Sequence, residues 1–138
     1  MTLPRRHPAL PLLLVPLAGL TLAFAAAQSG ATTPTYTKTQ ATAGAKVYAA
    51  QCAGCHGTTL NNGGAPKLAG PDFLKKWGKN TLDDYYFIES TTMPQTHPGS
   101  LKEAEYLNVL AYVLQQNGFK AGTKPLAVAN LKSYTFQK

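Results

Sequence analysis

The sequence predicts an all-α fold in a single domain. Its 138 residues are enough for one domain of ordinary size and too few for two. Four segments combine capping residues with apolar positions at helical spacing. No segment shows the strict alternation of apolar and polar residues that a half-buried strand requires, and no internal repeat occurs. The composition also excludes collagen, a coiled coil and wholesale disorder.

The first 27 residues have the pattern of an export signal. Arg5 and Arg6 precede an uncharged stretch over 9–27 that is rich in Leu and Ala and ends in three alanines. The alternative is an uncleaved membrane anchor, because the stretch is about long enough to span a bilayer. Two prolines within it and its small-residue end favour cleavage. We therefore expect an exported protein, in the periplasm or on the outer face of the bacterial cytoplasmic membrane, with membrane contact only if the signal is kept.

The rest of the chain divides into a flexible linker and a folded domain. Residues 28–41 are rich in Thr, Ala, Ser and Gly and have no period, which is typical of a linker. Residues 42–138 carry all the helix signals. After cleavage the protein would hold eleven lysines and six acids, a net charge of +5. We expect no nucleic-acid partner.

Four helices are predicted in the folded domain. They are expected over about 43–53, 71–77, 82–90 and 101–117. Thr42 is the expected N-cap of the first helix. The pairs Thr81 and Asp84, and Ser100 and Glu103, have capping-box spacing at the start of the third and fourth helices.

The last predicted helix has the clearest apolar stripe. Tyr106, Val109 and Val113 recur at helical spacing within it. Gly118 follows in the position of a left-handed cap, and Phe119 is expected to fold back onto the helix. The remaining residues, 120–138, have no strong period, and we expect them to form a tail that lies over the surface.

The chemistry of the chain is concentrated in the run Cys52-Ala53-Gly54-Cys55-His56, which contains both cysteines of the sequence. Two thiols at this spacing can reach the two vinyl groups of one porphyrin, and the histidine that follows places an imidazole under the iron. This is the pattern for covalent attachment of a c-type haem. We therefore expect one haem c, bound through thioethers to Cys52 and Cys55 and ligated by His56.

Two alternatives use the cysteines without a haem. A thioredoxin-like redox pair needs a strand before the motif and a helix that begins at it. Here the order is reversed, because helix signals precede Cys52 and a glycine-rich loop over 57–70 follows the motif. A structural disulfide is the second alternative, since an exported protein meets oxidising conditions.

The second axial ligand has few candidates. Outside the predicted signal, Met93 and His97 are the remaining methionine and histidine besides His56. Met93 precedes Pro94, which restricts the backbone and can help to hold the sulfur in place. We expect Met93 to be the ligand and His97, in a loop with Pro and Gly, to be exposed. The third possibility is an open sixth site.

With these motifs, the chain resembles the single-haem class I cytochromes c. It is especially similar to cytochrome modules found alone or fused to periplasmic quinoprotein dehydrogenases. The resemblance runs from Gly44 to about Gly122. Gly44 with Tyr48, and Val109 with Tyr112, match the pairs at which the first and last helices of the family cross. The haem motif is 52–56, the two ligand loops are 66–70 and 92–94, and the two runs that flank the last helix are 98–101 and 114–119.

The resemblance implies three main helices wrapped around one covalently attached haem. It also implies that the carbonyl of Pro66 holds the ring of His56. The expected apolar lining of the haem pocket is Leu68, Phe73, Ile88, Leu107 and Leu110. Trp77 is a candidate donor to a haem propionate.

The function implied is electron transfer rather than catalysis. If His56 and Met93 occupy both axial positions, no substrate reaches the iron and the haem exchanges electrons through its edge. The expected partners are redox proteins that dock transiently: a donor dehydrogenase or respiratory complex and an acceptor oxidase. A rim of lysines is expected around the haem edge, formed by Lys67, Lys75, Lys76 and Lys79. The alternatives are a haem subunit of a dehydrogenase complex, and a haem enzyme or sensor with an open sixth site.

Overall fold

Five α-helices and one 3₁₀ helix make up the regular structure in the computed structural model, which describes Met1 and residues 33–138. They are α1 (Lys38–Gln51), α2 (Ala53–His56), α3 (Pro71–Trp77), α4 (Leu82–Thr92), α5 (Glu103–Gln116) and the 3₁₀ helix (Val128–Ser133). This part of the chain has two isolated β-bridges and no strand, so the predicted all-α class is confirmed. The three longest helices are α1, α4 and α5. Apart from Met1, the predicted signal lies outside the described residues, as do residues 28–32 of the predicted linker.

Helices α1 and α5 cross in close contact at Gly44. A Cβ atom added at Gly44 would lie 1.8 Å from the carbonyl oxygen of Asn108 in α5. One turn later, the rings of Tyr48 and Tyr112 pack with their centroids 5.4 Å apart. A glycine is therefore required at this crossing, although it lowers the intrinsic stability of α1. The crossing expected from Gly44, Tyr48, Val109 and Tyr112 is present.

Replacing Gly44 with alanine should destabilise the protein by about 1–3 kcal/mol, the usual cost of overpacking a well-packed core. Alanine is the better helix former by about 1 kcal/mol, but its methyl group has no room against the α5 backbone. The urea unfolding midpoint of the haem-loaded protein measures the change. Gly64→Ala is the matched control, because a Cβ there meets nothing within 4 Å. Equal midpoints for the two variants would contradict the close crossing.

The start of α1 differs from the prediction. The helix begins at Lys38 with Thr37 as its N-cap, rather than near 43 with Thr42. The side chains of Thr37 and Gln40 cap each other's backbone N–H at 3.2 Å. Residues 38–41 of the predicted linker are thus helical, and Tyr36 is buried before them. The linker prediction for these residues was wrong because it rested on their Thr- and Ala-rich composition, which does not reveal the capping box formed by Thr37 and Gln40.

The other helices lie close to their predicted positions. Helix α3 has the predicted bounds, and the capping box of Thr81 and Asp84 at the start of α4 is confirmed. Helix α4 runs to Thr92 rather than 90. Helix α5 begins at Glu103 because residues 97–100 still form a turn, so the predicted box of Ser100 and Glu103 is wrong. The carboxylate of Glu105 instead accepts the N–H of Lys102 at 2.8 Å.

The end of α5 has the predicted left-handed cap. Gly118 has a φ of 79°, and the N–H of Phe119 donates to the carbonyl of Leu114 at 3.1 Å. Phe119 is buried, as its predicted packing against the helix requires.

Residues 120–138 complete the core, which corrects the prediction of a surface tail. Leu126, Leu131 and Phe136 are each at most 2% exposed. The ring of Phe136 packs edge to face against Phe73 and Tyr85, with centroids 5.1 and 5.3 Å away. These apolar residues are too irregularly spaced to form a periodic pattern, so no local pattern indicates their burial.

Candidate haem site

A cavity of about 680 Å³ lies between the end of α1, α2, α3, α4 and the loops that follow α2 and α4. Its volume falls within the range of about 300–1,000 Å³ that is usual for small-molecule sites. All seven residues predicted to bind the cofactor line it: Cys52, Cys55, His56, Pro66, Leu68, Trp77 and Met93. The fold thus brings together groups up to 41 positions apart in the sequence.

The two cysteines and His56 are positioned by a single helical turn. Helix α1 ends at Gln51, and the carbonyl of Cys52 accepts the N–H groups of Cys55 and His56 at 3.1 and 2.9 Å. Gly57 then turns the chain with a φ of 82°. The hydroxyl of Tyr48 donates to the carbonyl of Gly57 at 2.7 Å, which fixes this turn to α1.

His56 is buried and its ring is held by the neighbouring loop. Its Nδ1 lies 2.8 Å from the carbonyl oxygen of Pro66, the contact expected from the resemblance. Because a carbonyl oxygen can only accept, this hydrogen bond requires a proton on Nδ1, and in the tautomer of the imidazole that makes it the lone pair is on Nε2. Such a hydrogen bond fixes both the tautomer and the orientation of a metal-binding imidazole.

Met93 is the C-cap residue of α4 and lines the same cavity as His56. It is half-buried, and its carbonyl accepts the hydroxyl of Tyr106 at 2.6 Å and the N–H of Gly99 at 3.2 Å. These two bonds tie the Met93 backbone to α5 and to its own loop. His97, the other candidate ligand, is exposed and does not line the cavity.

Three polar side chains that the sequence did not identify as functional hold the loops around the cavity. Tyr48 holds the turn after the haem motif, and Tyr106 holds the Met93 loop. Asn117, which is buried, binds the carbonyl of Leu68 and the N–H of Gly70 at 2.9 and 3.0 Å. The signal that could have identified these three residues is the polar atom that each carries, because a buried hydroxyl or amide must find a hydrogen-bond partner.

The apolar wall of the cavity is partly as predicted. Leu68, Phe73 and Ile88 line it, but Leu107 and Leu110 do not. Those two leucines are buried elsewhere in the core, and Val109 contributes to the lining from α5. A helix that is buried on several sides has a broad apolar stripe, and the stripe alone does not tell which residues face the cofactor.

Trp77 lines the cavity and is fixed by two ring contacts. Its ring packs edge to face against Tyr85 with centroids 5.1 Å apart, and the Nζ of Lys76 lies 5.3 Å from its centroid. Its hydrogen bond to a haem propionate stays a prediction.

The lysines predicted to form one rim divide between two places. Lys67 and Lys76 line the haem cavity, and Lys67 also pairs with Asp72 at 2.7 Å. Lys75 and Lys79 instead border a second hollow beside Lys138. The structure thus places two of the four lysines at the haem cavity, and a rim formed by all four stays a prediction.

The electrostatics of Cys52 argue against thiol redox chemistry. Burial, followed by the nearby Glu89 and Cys55, raises the pKa of Cys52 to about 11. A catalytic thiol needs a lowered pKa, because the thiolate is the nucleophile. The two cysteines are not joined in a disulfide. The element before the motif is a helix, whereas a thioredoxin-like site requires a strand.

Comparisons with known proteins identify the family. Residues 39–113 match the family model described as "Cytochrome C oxidase, cbb3-type, subunit III". The chain is also similar to cytochrome c6 from Synechococcus sp. (strain PCC 6312), with 39% identity over 77 residues, which are 54% of this chain and 68% of that protein. No solved structure matches the chain.

The donor set of the cavity fits the cofactor of this family. Two thiols separated by two residues, the sequence spacing of covalent haem attachment, line a largely apolar cavity of suitable size, and the oriented imidazole of His56 lines it with them. The cofactor is a covalently bound c-type haem, and the protein transfers electrons to and from other redox proteins rather than catalysing a reaction. Since the family model covers more than half of the chain, and the fold and the donor set agree with it, the chain belongs to the cytochrome c family as a single-haem class I cytochrome c.

Proposed function

We propose that this cytochrome is an exported one-electron carrier whose haem iron is ligated by His56 and Met93. The observation that carries the proposal is that both side chains line one cavity together with Cys52 and Cys55. When bound, the haem supplies a reversible one-electron couple. With both axial positions filled by the protein, the site has no place for a substrate at the iron.

The chain's own residues prepare the two ligands differently. The Pro66 carbonyl holds the His56 ring and leaves Nε2 free to bind the metal. Tyr106 holds Met93 through its backbone carbonyl rather than through its thioether. A ligand pair of imidazole and thioether gives a higher reduction potential than two imidazoles. This supports a carrier between a dehydrogenase or respiratory complex and a terminal oxidase.

The proposed location and partners rest on the N-terminal sequence and on the comparisons. The charged start and the apolar stretch over 9–27 support export to the periplasm, with residues 1–27 removed as a signal peptide. The description of the matching family as an oxidase subunit favours an oxidase as the electron acceptor. A permanent subunit of a dehydrogenase complex is the second candidate, supported by the resemblance of 98–101 and 114–119 to dehydrogenase-associated modules.

The docking face is proposed to surround the cavity on the side of Lys67 and Lys76. Both lysines are exposed and line the cavity. Ile88, 45% exposed, lines the same cavity from α4. A small face of this kind, with an apolar centre and charged margin, suits a transient redox encounter in which charge mainly raises the association rate.

Reversing the charge of Lys76 should slow electron transfer to an acidic redox protein by roughly tenfold at 0.1 M ionic strength. At this ionic strength the screening length is about 10 Å, so a charge acts mainly on the face that carries it. Stopped-flow measurement of the second-order rate with Lys76→Glu tests this. The rate should also fall as salt is raised to 1 M, where screening removes the attraction.

Lys75→Glu is the matched control, since it changes the same charge on the adjacent residue but next to the second hollow. Its effect on the rate should be much smaller. Equal effects of the two variants would reject the proposed face. A rate independent of salt would indicate a mainly apolar contact or a permanent complex.

A further inference from the structure

Glu89 is a buried acid in the wall of the haem cavity. It lies in α4, four residues before Met93, and its residue exposure is 8%. Its Oε2 is fully buried and has no hydrogen-bond partner in the described part of the chain. Buried polar atoms of proteins almost always have a partner, so this orphaned oxygen needs a physical explanation.

No cation among residues 33–138 forms an ion pair with Glu89. The ion pairs within the described residues are Lys67 with Asp72 and Lys132 with Asp83. Burial raises the pKa of the Glu89 carboxyl well above its ordinary value. An unpaired carboxylate is strongly unfavourable at a buried position, so the acid stays neutral unless a positive charge appears close to it.

The titratable groups around Glu89 are mainly tyrosines and the cysteines that hold the haem. The groups that interact electrostatically with Glu89 are Cys52, Tyr85 and Tyr86, and these two tyrosines also interact with Tyr48, Tyr106 and the exposed carboxyl of Glu103. Haem attachment consumes the Cys52 thiol. The other titratable groups that line the cavity are Cys55, His56, Lys67, Asp72 and Lys76. Cys55 is likewise consumed by the haem, Lys67 is paired with Asp72, and Lys76 lies over Trp77.

The haem brings the charge that this arrangement lacks. Loss of one electron from the haem adds one positive charge to the cavity, and at low dielectric such a charge strongly favours the ionised form of a nearby acid. We propose that Glu89 is a redox-linked proton site, whose O–H bond breaks when the haem gives an electron to a redox partner. The proton passes to water on oxidation, and the carboxylate takes one up when the haem is reduced again.

One electron and one proton thus leave the cavity together, and the charge inside it stays constant. The inference requires that the chain carries electrons on its haem, but it does not depend on Met93 as the sixth ligand. It explains why an acid without a partner lies in an otherwise apolar wall.

The test is the pH dependence of the reduction potential of the haem-loaded protein between pH 5 and 9. The potential of the wild type should fall with pH over part of this range. The limiting slope is one proton per electron, at which a tenfold change in proton activity shifts the redox equilibrium tenfold, or by about 59 mV. Glu89→Gln keeps the shape of the side chain but has no proton to release, so it should lose this dependence.

Glu103→Gln is the matched control, because it removes an exposed carboxyl of α5 outside the cavity. It should keep the wild-type slope. The haem propionates titrate in all three proteins, so the difference between variants isolates Glu89. A flat wild-type potential, or a Glu89→Gln slope equal to that of the wild type, would overturn the proposal.

A second measurement on the wild type can still overturn the proposal if Glu89→Gln fails to fold. In a redox-difference infrared spectrum at a pH within the sloping range, reduction should produce the C=O stretching band of a protonated carboxyl. The absence of that band would also reject the proposal. A pH slope that persists in a protein without methionine ligation would instead reject the Met93 assignment alone and leave the Glu89 site standing.

Discussion

Replacing both Cys52 and Cys55 with serine should remove the haem from the purified protein and leave little native fold. Serine cannot form the thioether bonds. Without haem, the folded chain would have to keep a largely apolar cavity of about 680 Å³ between its helices. Haem binding and folding are then coupled, as metal binding is coupled to folding in small metalloproteins. After acid–acetone extraction and denaturing electrophoresis, haem stain should be absent, and far-ultraviolet circular dichroism should show a large loss of helix.

Gly54→Ser is the control for a serine placed within the same motif. It leaves both thiols in place, and a Cβ at this position meets nothing within 4 Å. This variant should keep its haem through the same extraction. If the double cysteine variant also kept haem through the extraction, attachment through Cys52 and Cys55 would be wrong.

Replacing Met93 with alanine should open the sixth position of the haem iron. The oxidised protein should lose the weak far-red sulfur–iron charge-transfer band and should bind cyanide readily. Its reduction potential should also fall, since the thioether raises the potential and axial ligation contributes to a range of about 0.8 V among haem proteins. Optical titration with cyanide and potentiometry measure both effects.

His97→Ala is the control for the Met93 variant, because His97 is exposed and lies outside the cavity lining. Its spectrum and its slow reaction with cyanide should match those of the wild type. Loss of the low-spin state in His97→Ala but not in Met93→Ala would reverse the ligand assignment.

The local sequence predicted the structure best where the chemistry of a motif fixes the spacing of its residues. The run from Cys52 to His56 forms one helical turn, so its residues are neighbours in sequence and in space. The start of α4 was predictable for the same reason, since Thr81 and Asp84 cap each other across three residues. Gly44 was also informative, because a glycine inside a helix is costly unless another backbone approaches it.

The remaining parts of the site depend on contacts between distant residues. Tyr106 reaches Met93 across 13 positions and Asn117 reaches Leu68 across 49, and neither pair has a local signature. Phe136 is buried by side chains from α3 and α4, which no local pattern around it indicates. Glu89 is an acid in α4, and its burial depends on how that helix is rotated about its axis against the cavity. Sequence spacing alone does not determine that rotation.

The absorption spectrum of the purified, haem-loaded chain, recorded oxidised and reduced and then with carbon monoxide, tests the electron-carrier function most directly. A carrier ligated by His56 and Met93 gives sharp, low-spin bands on reduction, a weak far-red band when oxidised, and no change within minutes of adding carbon monoxide. A spectrum that shifts at once with carbon monoxide would show an open sixth site and therefore a haem enzyme or sensor. A protein without any covalently bound haem absorption would show that Cys52 and Cys55 serve another purpose.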